Sequence, residues 1–196
     1  MTDSHSLRMS VFAALFAALT AMGAFIAVPI GPVPIVLQNL FVMLAGLLLG
    51  PRWGLASVGI YLLAGFCGLP VFAGGQAGIG RLIGPTGGYL IGYLPAVYII
   101  GRMTRGSDHR LLREAGAMVL GTLLLYACGV SWLKVVTGLS WTKALAVGML
   151  PFLIGDALKI AAAIPIARSL RPVMQTEVPA ADPMRMETAG RTGSTP

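Results

Sequence analysis

Long uncharged apolar runs, broken once by a glycine-dense stretch, constrain this chain more than any other feature. The break is FAGGQAGIGRLIGPTGGYLIG, residues 72–92. Between positions 68 and 92 stand nine glycines and a single full charge, Arg81. The whole chain is 56% hydrophobic and only 11% charged, whereas a soluble globular domain carries about 25% charged residues. The chain therefore reads as an integral membrane protein. At membrane depth, irregular backbone survives only where protein buries it or where it lines a cavity. Glycine lets backbone approach a ligand closely. Residues 72–92 thus read as a shaped, partly re-entrant loop that forms one wall of a binding site.

The apolar runs predict six spans. A short polar start, residues 1–9, precedes the first span at 10–28. That span carries Ala13, Ala17 and Ala21 on one face, with Ala14 and Ala18 beside them. Small residues four apart admit a second helix at close range in lipid. The partner is either a helix of the same bundle or another subunit. Pro29, Pro32 and Pro34 then make a rigid turn. The second span, 35–49, opens with Gln38 and Asn39, two amides that serve either a ligand or a neighbouring helix. Gly50-Pro51-Arg52 turns the chain into the third span, 53–66. Both are short for a ~30 Å core, which takes about 20 residues, and short helices in transporters often flank the substrate site. The fourth span starts near Pro85 and Thr86 and runs to about residue 103, and the fifth covers 114–133. A short surface helix is expected within 134–150, and Pro151 opens the sixth span, ending near residue 170. The predicted organisation is a six-helix membrane domain at 10–170 and a disordered tail at 171–196.

Six spans put both termini on one side. Ten arginines fall there (Arg8, Arg52, Arg102, Arg105, Arg110, Arg113, Arg168, Arg171, Arg185 and Arg191), against Arg81, Lys134 and Lys143 on the other side. The positive-inside rule makes the arginine side cytoplasmic. The glycine-rich loop and the start of the last span then face outward, where an importer takes its substrate.

Asp156 and Lys159 are the one acidic and one basic group inside an apolar run. Each alone costs roughly 2.5–3.5 kcal/mol at the bilayer centre on an insertion scale. Three apart on a helix, they share a face. Counting from Pro151 at ~1.5 Å per residue, Asp156 lies about 7–8 Å into the helix. The pair is either self-neutralising glue or the polar end of a mostly apolar pocket. Other chemistry is absent from the sequence. There is no GxxxxGK[ST] and no HExxH, and His5 and His109 lie in polar segments. A single intramembrane acid rules out a paired-aspartate protease. Cys67 and Cys128 have neither metal spacing nor a disulfide signature. No basic run with interleaved aromatics suits nucleic acid. The first run is too long for a signal-peptide core and lacks an A-x-A exit. No catalytic residue, metal or cofactor is expected, and the chain is not read as an enzyme.

Three stretches carry a resemblance: PVPIVLQNL after the first span, GRLIGPTGGYLIGY before the fourth, and GDALK in the last. Together they resemble the BioY family, the biotin-specific S components (substrate-binding membrane subunits) of energy-coupling-factor (ECF) transporters. The likeness covers residues 10–171. Its most specific pieces are Gly84-Pro85-Thr86-Gly87-Gly88-Tyr89 and Gly155-Asp156 with Lys159. The chain departs from the family at Ile35 and Val36, where a threonine is common. The resemblance implies an all-α, six-helix S-component-like bundle with a Gly-rich outer loop, placed in the bacterial inner membrane with both termini cytoplasmic. It implies biotin as substrate, bound near the outer surface, and no cofactor. The implied partners are a transmembrane coupling (T) subunit, two ABC-type ATPase subunits and membrane lipid, with self-association left open and nucleic acid excluded. The alanine face of the first span, Ala13, Ala17 and Ala21, resembles the AxxxA surface by which such subunits dock.

Biotin offers two ureido N–H groups, a ureido carbonyl, an apolar thioether ring and a carboxylate. Asp156 suits the ureido N–H groups, and Lys159 suits the ureido oxygen or neutralises Asp156. Arg81 is the candidate for the carboxylate. Gln38, Asn39 and Tyr89, with Gly87 and Gly88, complete the expected site. The alternative is a self-sufficient secondary transporter for another small organic acid, with Asp156 as its proton site. A scaffold that assembles through the first span and binds no small molecule is a third reading.

Overall fold

The computed structural model describes residues 2–29, 32–106 and 111–175. Helix α1 (Thr2–Phe25) leads into two-residue strands β1 (Ala27–Val28) and β2 (Ile35–Val36). These pair antiparallel, Ala27 opposite Val36 and Val28 opposite Ile35, where the sequence predicts only a proline turn. Next come α2 (Gln38–Phe66), the short α3 (Gly80–Ile83) inside the glycine-rich loop, and α4 (Gly87–Thr104). Helix α5 (Leu111–Thr137) is followed by α6 (Trp141–Gly148), a 3-10 turn (Leu150–Phe152) and α7 (Leu153–Gln175).

Helix α2 is a hairpin. Gly50 has φ 74° and ψ −174°, a backbone region open to essentially glycine alone. In a straight helix Ala45 and Gly54 would stand about 13 Å apart, at ~1.5 Å per residue. Instead, the Ala45 carbonyl oxygen lies 3.4 Å from where a Cβ on Gly54 would sit. The chain thus doubles back at Gly50. Pro51 opens the second arm, where its missing N–H is harmless. The two arms are the expected second and third spans. With α1, α4, α5 and α7 they make the six long segments of an all-α membrane bundle. Among the described residues α1, the α2 hairpin, α5 and the α6–α7 stretch are long and apolar enough to cross a membrane.

Helix α4 packs between α2 and α5, α1 lies on α2, and α7 lies on α2 and α5. Contact at the hairpin tip is intimate: a Cβ on Gly101 would sit 2.5 Å from Pro51 N. The hairpin tip with Arg52 thus sits at the same end of the bundle as Arg102 in the last turn of α4. At the same end, Arg113 Nε donates to the Met103 carbonyl at 2.6 Å, and Arg171 meets Glu114 at 2.6 Å. One end of the bundle therefore gathers the arginines, and the glycine-rich loop occupies the other.

Several boundaries differ from the sequence reading. Helix α1 starts at Thr2, through the expected polar start. Helix α7 begins at Leu153 because Pro151 belongs to the preceding 3-10 turn, and it continues to Gln175. Residues 176–196 lie outside the described residues. The expected surface helix is α6, whose Ser140 side chain accepts the Lys143 N–H.

The alanine face of α1 needs correction. Ala13 and Ala17 are buried, and Ala21 packs partly buried against the same core. The helix that approaches them is α2 of this chain. The free face of α1 instead presents Val11, Ala14, Leu15, Ala18 and Met22.

Candidate functional site

The glycine-rich loop is a built wall. Phe72 anchors it, meeting Tyr61 edge-on with ring centroids 5.6 Å apart and Phe66 at 5.4 Å. The Phe72 ring fills the place a Gly65 side chain would take, 2.1 Å from its would-be Cβ. Phe72 N–H donates to the Gln76 carbonyl at 2.9 Å, closing a tight turn.

Behind this wall lies a cavity in two halves that share Val33, Pro34, Val36, Tyr89 and Tyr93. The loop-side half adds Gln38, Phe72, Ala73, Arg81, Thr86 and Leu90. The deep half adds Asn39, Leu125, Tyr126, Phe152 and Lys159. A mostly apolar lining with a few placed polar groups is the usual make-up of a small-molecule site.

Asp156 lines neither half itself and organises the deep half through the side chains that do, Lys159, Asn39 and Tyr126. It stands in the first turn of α7, where the helix dipole favours a carboxylate. Only 2% exposed, its Oδ1 accepts from Lys159 Nζ at 2.9 Å and from Asn39 Nδ2 at 3.4 Å. The Tyr126 hydroxyl donates to Oδ2. Tyr93 donates to Asn39 Oδ1 at 2.6 Å. Side chains from α2, α4, α5 and α7 thereby close one polar floor. A buried ion pair holds up only when further hydrogen bonds satisfy it in this way.

The loop-side half is different. Arg81 Nε is buried and finds no acceptor among the described residues, while the Gln38 amide is paired with the Tyr61 hydroxyl. A buried donor left unmade costs about 1–3 kcal/mol. Such a donor on a cavity wall makes a seat for a carboxylate or carbonyl oxygen.

The structure thus brings together Asp156, Lys159, Asn39, Arg81, Gln38 and Tyr89. The Tyr89 hydroxyl is engaged, donating to the Gly148 carbonyl at 2.6 Å, so this residue offers the cavity its ring. Gly87 and Gly88 line neither half. A Cβ on Gly88 would fall 2.2 Å from Trp132 Cβ, and one on Gly87 1.7 Å from the Leu82 carbonyl oxygen. They seat α4 against α5 and the loop, and leave the candidate set. Tyr93 and Tyr126 are the functional residues that sequence reasoning missed. Their signal was a phenol inside an apolar span, which must find a hydrogen-bond partner.

The family model of the BioY family matches residues 1–176. The chain belongs to the BioY family. A probable biotin transporter BioY from Pyrococcus horikoshii is 46% identical over 158 residues, 81% of this chain and 93% of that protein. The biotin transporter BioY of Thermotoga maritima is 38% identical over 165 residues, 84% of this chain and 96% of that one. Among solved structures, the S-component for biotin from an ECF-type ABC transporter matches with a TM-score of 0.82 and 33% identity. It covers 88% of this chain and 95% of its own.

Proposed function

We propose that this chain is the high-affinity biotin-binding subunit of a vitamin importer. It captures biotin at the outer face and delivers it together with an ATP-driven coupling module. One observation carries the assignment: a single cavity has the Arg81 donor without a protein acceptor at one end, and Lys159 and Asn39, held by Asp156, at the other. Apolar and aromatic walls lie between. Biotin has the matching order of parts, with a carboxylate, an apolar chain and thioether ring, and a ureido group. Arg81 receives the carboxylate. Asp156 accepts ureido N–H, and Lys159 and Asn39 donate to the ureido oxygen.

The arginine-rich end is the cytoplasmic one, in keeping with the positive-inside rule. The cavity then opens outward in the bacterial inner membrane, and both termini are cytoplasmic. Introduced cysteines at Ala77 and Arg105, both exposed, should label from opposite sides of intact cells. Labelling of Arg105→Cys from outside reverses the topology. The partners are a transmembrane coupling subunit and ABC-type ATPase subunits, which dock on the free face of α1 through Ala14 and Ala18.

Binding of labelled biotin to the purified chain tests the reading directly. Hydrogen bonds to charged groups contribute about 1.5–3 kcal/mol. Arg81→Ala should therefore weaken biotin roughly 10- to 100-fold, and weaken the amide of biotin, which lacks the carboxylate, far less. No biotin binding by the wild type sinks the assignment. Uptake should follow the co-expressed ATPase. Uptake that instead follows the proton gradient without an ATPase would mean a secondary transporter.

A further inference from the structure

We infer that Tyr93 sets the specificity of the deep half of the cavity, by holding the Asn39 amide so that the site accepts a ligand carbonyl and refuses an N–H donor in its place. The inference rests on the biotin reading above. An asparagine amide is two-faced, with an acceptor oxygen on one side and two donor hydrogens on the other. Two neighbours decide which way Asn39 faces. The Tyr93 hydroxyl lies 2.6 Å from Oδ1 and donates to it. On the opposite side Nδ2 lies 3.4 Å from Asp156 Oδ1.

A reversed amide would set oxygen against a carboxylate oxygen, acceptor facing acceptor. That carboxylate oxygen cannot turn away freely, because Lys159 Nζ holds it at 2.9 Å and Tyr126 holds its twin. Tyr93 is itself buried and lines both halves of the cavity, so its hydroxyl is a fixed post. Asp156 uses one of the two Asn39 N–H groups. The other donates to no protein group among the described residues, and Asn39 lines the cavity. Beside it stands the Lys159 ammonium, also a donor. The deep half therefore presents two donors to one ligand atom, which must be an acceptor. Tyr93 is a positioning residue, and Asn39 is the contact it positions.

The test compares biotin with 2-iminobiotin at pH 7, using the purified full chain. The protonated imino ring carries N–H donors where biotin has its carbonyl oxygen. Wild type should prefer biotin by well over tenfold, since a site built for one polar pattern leaves its groups unpaired against the other. Tyr93→Phe keeps the ring and removes the hydroxyl. It should narrow that preference roughly three- to tenfold, the range of one neutral hydrogen bond, chiefly by weakening biotin. Asn39→Ala should narrow it at least as much, and adding Tyr93→Phe to Asn39→Ala should narrow it no further. An unmoved preference in either single variant overturns the inference, and so does an equal loss for both ligands. Wild type that binds neither ligand overturns the biotin reading and this inference with it. Wild type that binds biotin while the preference stays put overturns this inference alone.

Discussion

Asp156 and Glu114 are both buried carboxylates, each in the first turn of a long helix and each met by cations, yet they stand at opposite ends of the bundle. Glu114 is fully buried and holds α7 to α5 through Arg171 at 2.6 Å and Arg168 at 3.8 Å. Neither Glu114 nor its two arginines line either half of the ligand cavity. Asp156 is held by Lys159, Asn39 and Tyr126, and Lys159 and Asn39 open onto that cavity. A buried, paired charge is therefore no mark of a ligand site by itself. The mark is a charge whose partners also face empty space, opposite a donor that no protein group satisfies. Glu114 is a clasp, and Asp156 is part of a receptor.

The largest effect should come from breaking the clasp. Glu114→Ala leaves arginine charge without its buried partner, and breaking a buried pair costs about 3–5 kcal/mol. Thermal unfolding in detergent should fall steeply, while the folded fraction keeps its biotin affinity. A selective loss of affinity instead would make the two carboxylates one coupled system.

Asp156→Asn comes next. It keeps the shape and removes the charge, so biotin should weaken roughly 10- to 100-fold with the fold largely retained. Lowered stability with unchanged affinity would place Asp156 beside Glu114 as a second clasp and dissolve the contrast.

The smallest effects compare two faces of α1. Ala17→Leu overpacks the seam with α2 and should cost about 1–3 kcal/mol in stability. Ala18→Leu lies on the free face, should stay within about 0.5 kcal/mol, and should weaken assembly with the coupling subunit while sparing biotin binding. The reverse pattern would return docking to the face of Ala13, Ala17 and Ala21.

Much of the site is legible in the sequence because charge in an apolar run is conspicuous. Asp156 and Lys159 announce themselves by being where lipid would reject them, and Arg81 by being the single full charge of the glycine-rich loop. Tyr93 and Tyr126 do not, since a tyrosine is at home in an apolar helix until its hydroxyl needs a partner. Gly87 and Gly88 look like cradle residues, because glycine states only that something approaches closely. Here the approaching groups are Trp132 and Leu82. The alanines of α1 carry the same ambiguity. Small residues register closeness, and the α2 hairpin arrived first.

Local composition alone determined that this chain crosses a membrane six times, turns sharply at Gly50, and places one acid and one base in its last span. Hydropathy, backbone freedom and net charge are properties of short stretches and need no partner. Which alanines stay free, which glycines serve packing, and which tyrosine hydroxyls fix Asn39 and Asp156 were decided only when α2, α4, α5 and α7 met. A hydrogen bond between residues 54 or 117 positions apart leaves no periodic trace in the chain, and it exists only where the fold brings donor and acceptor within 3.5 Å of each other.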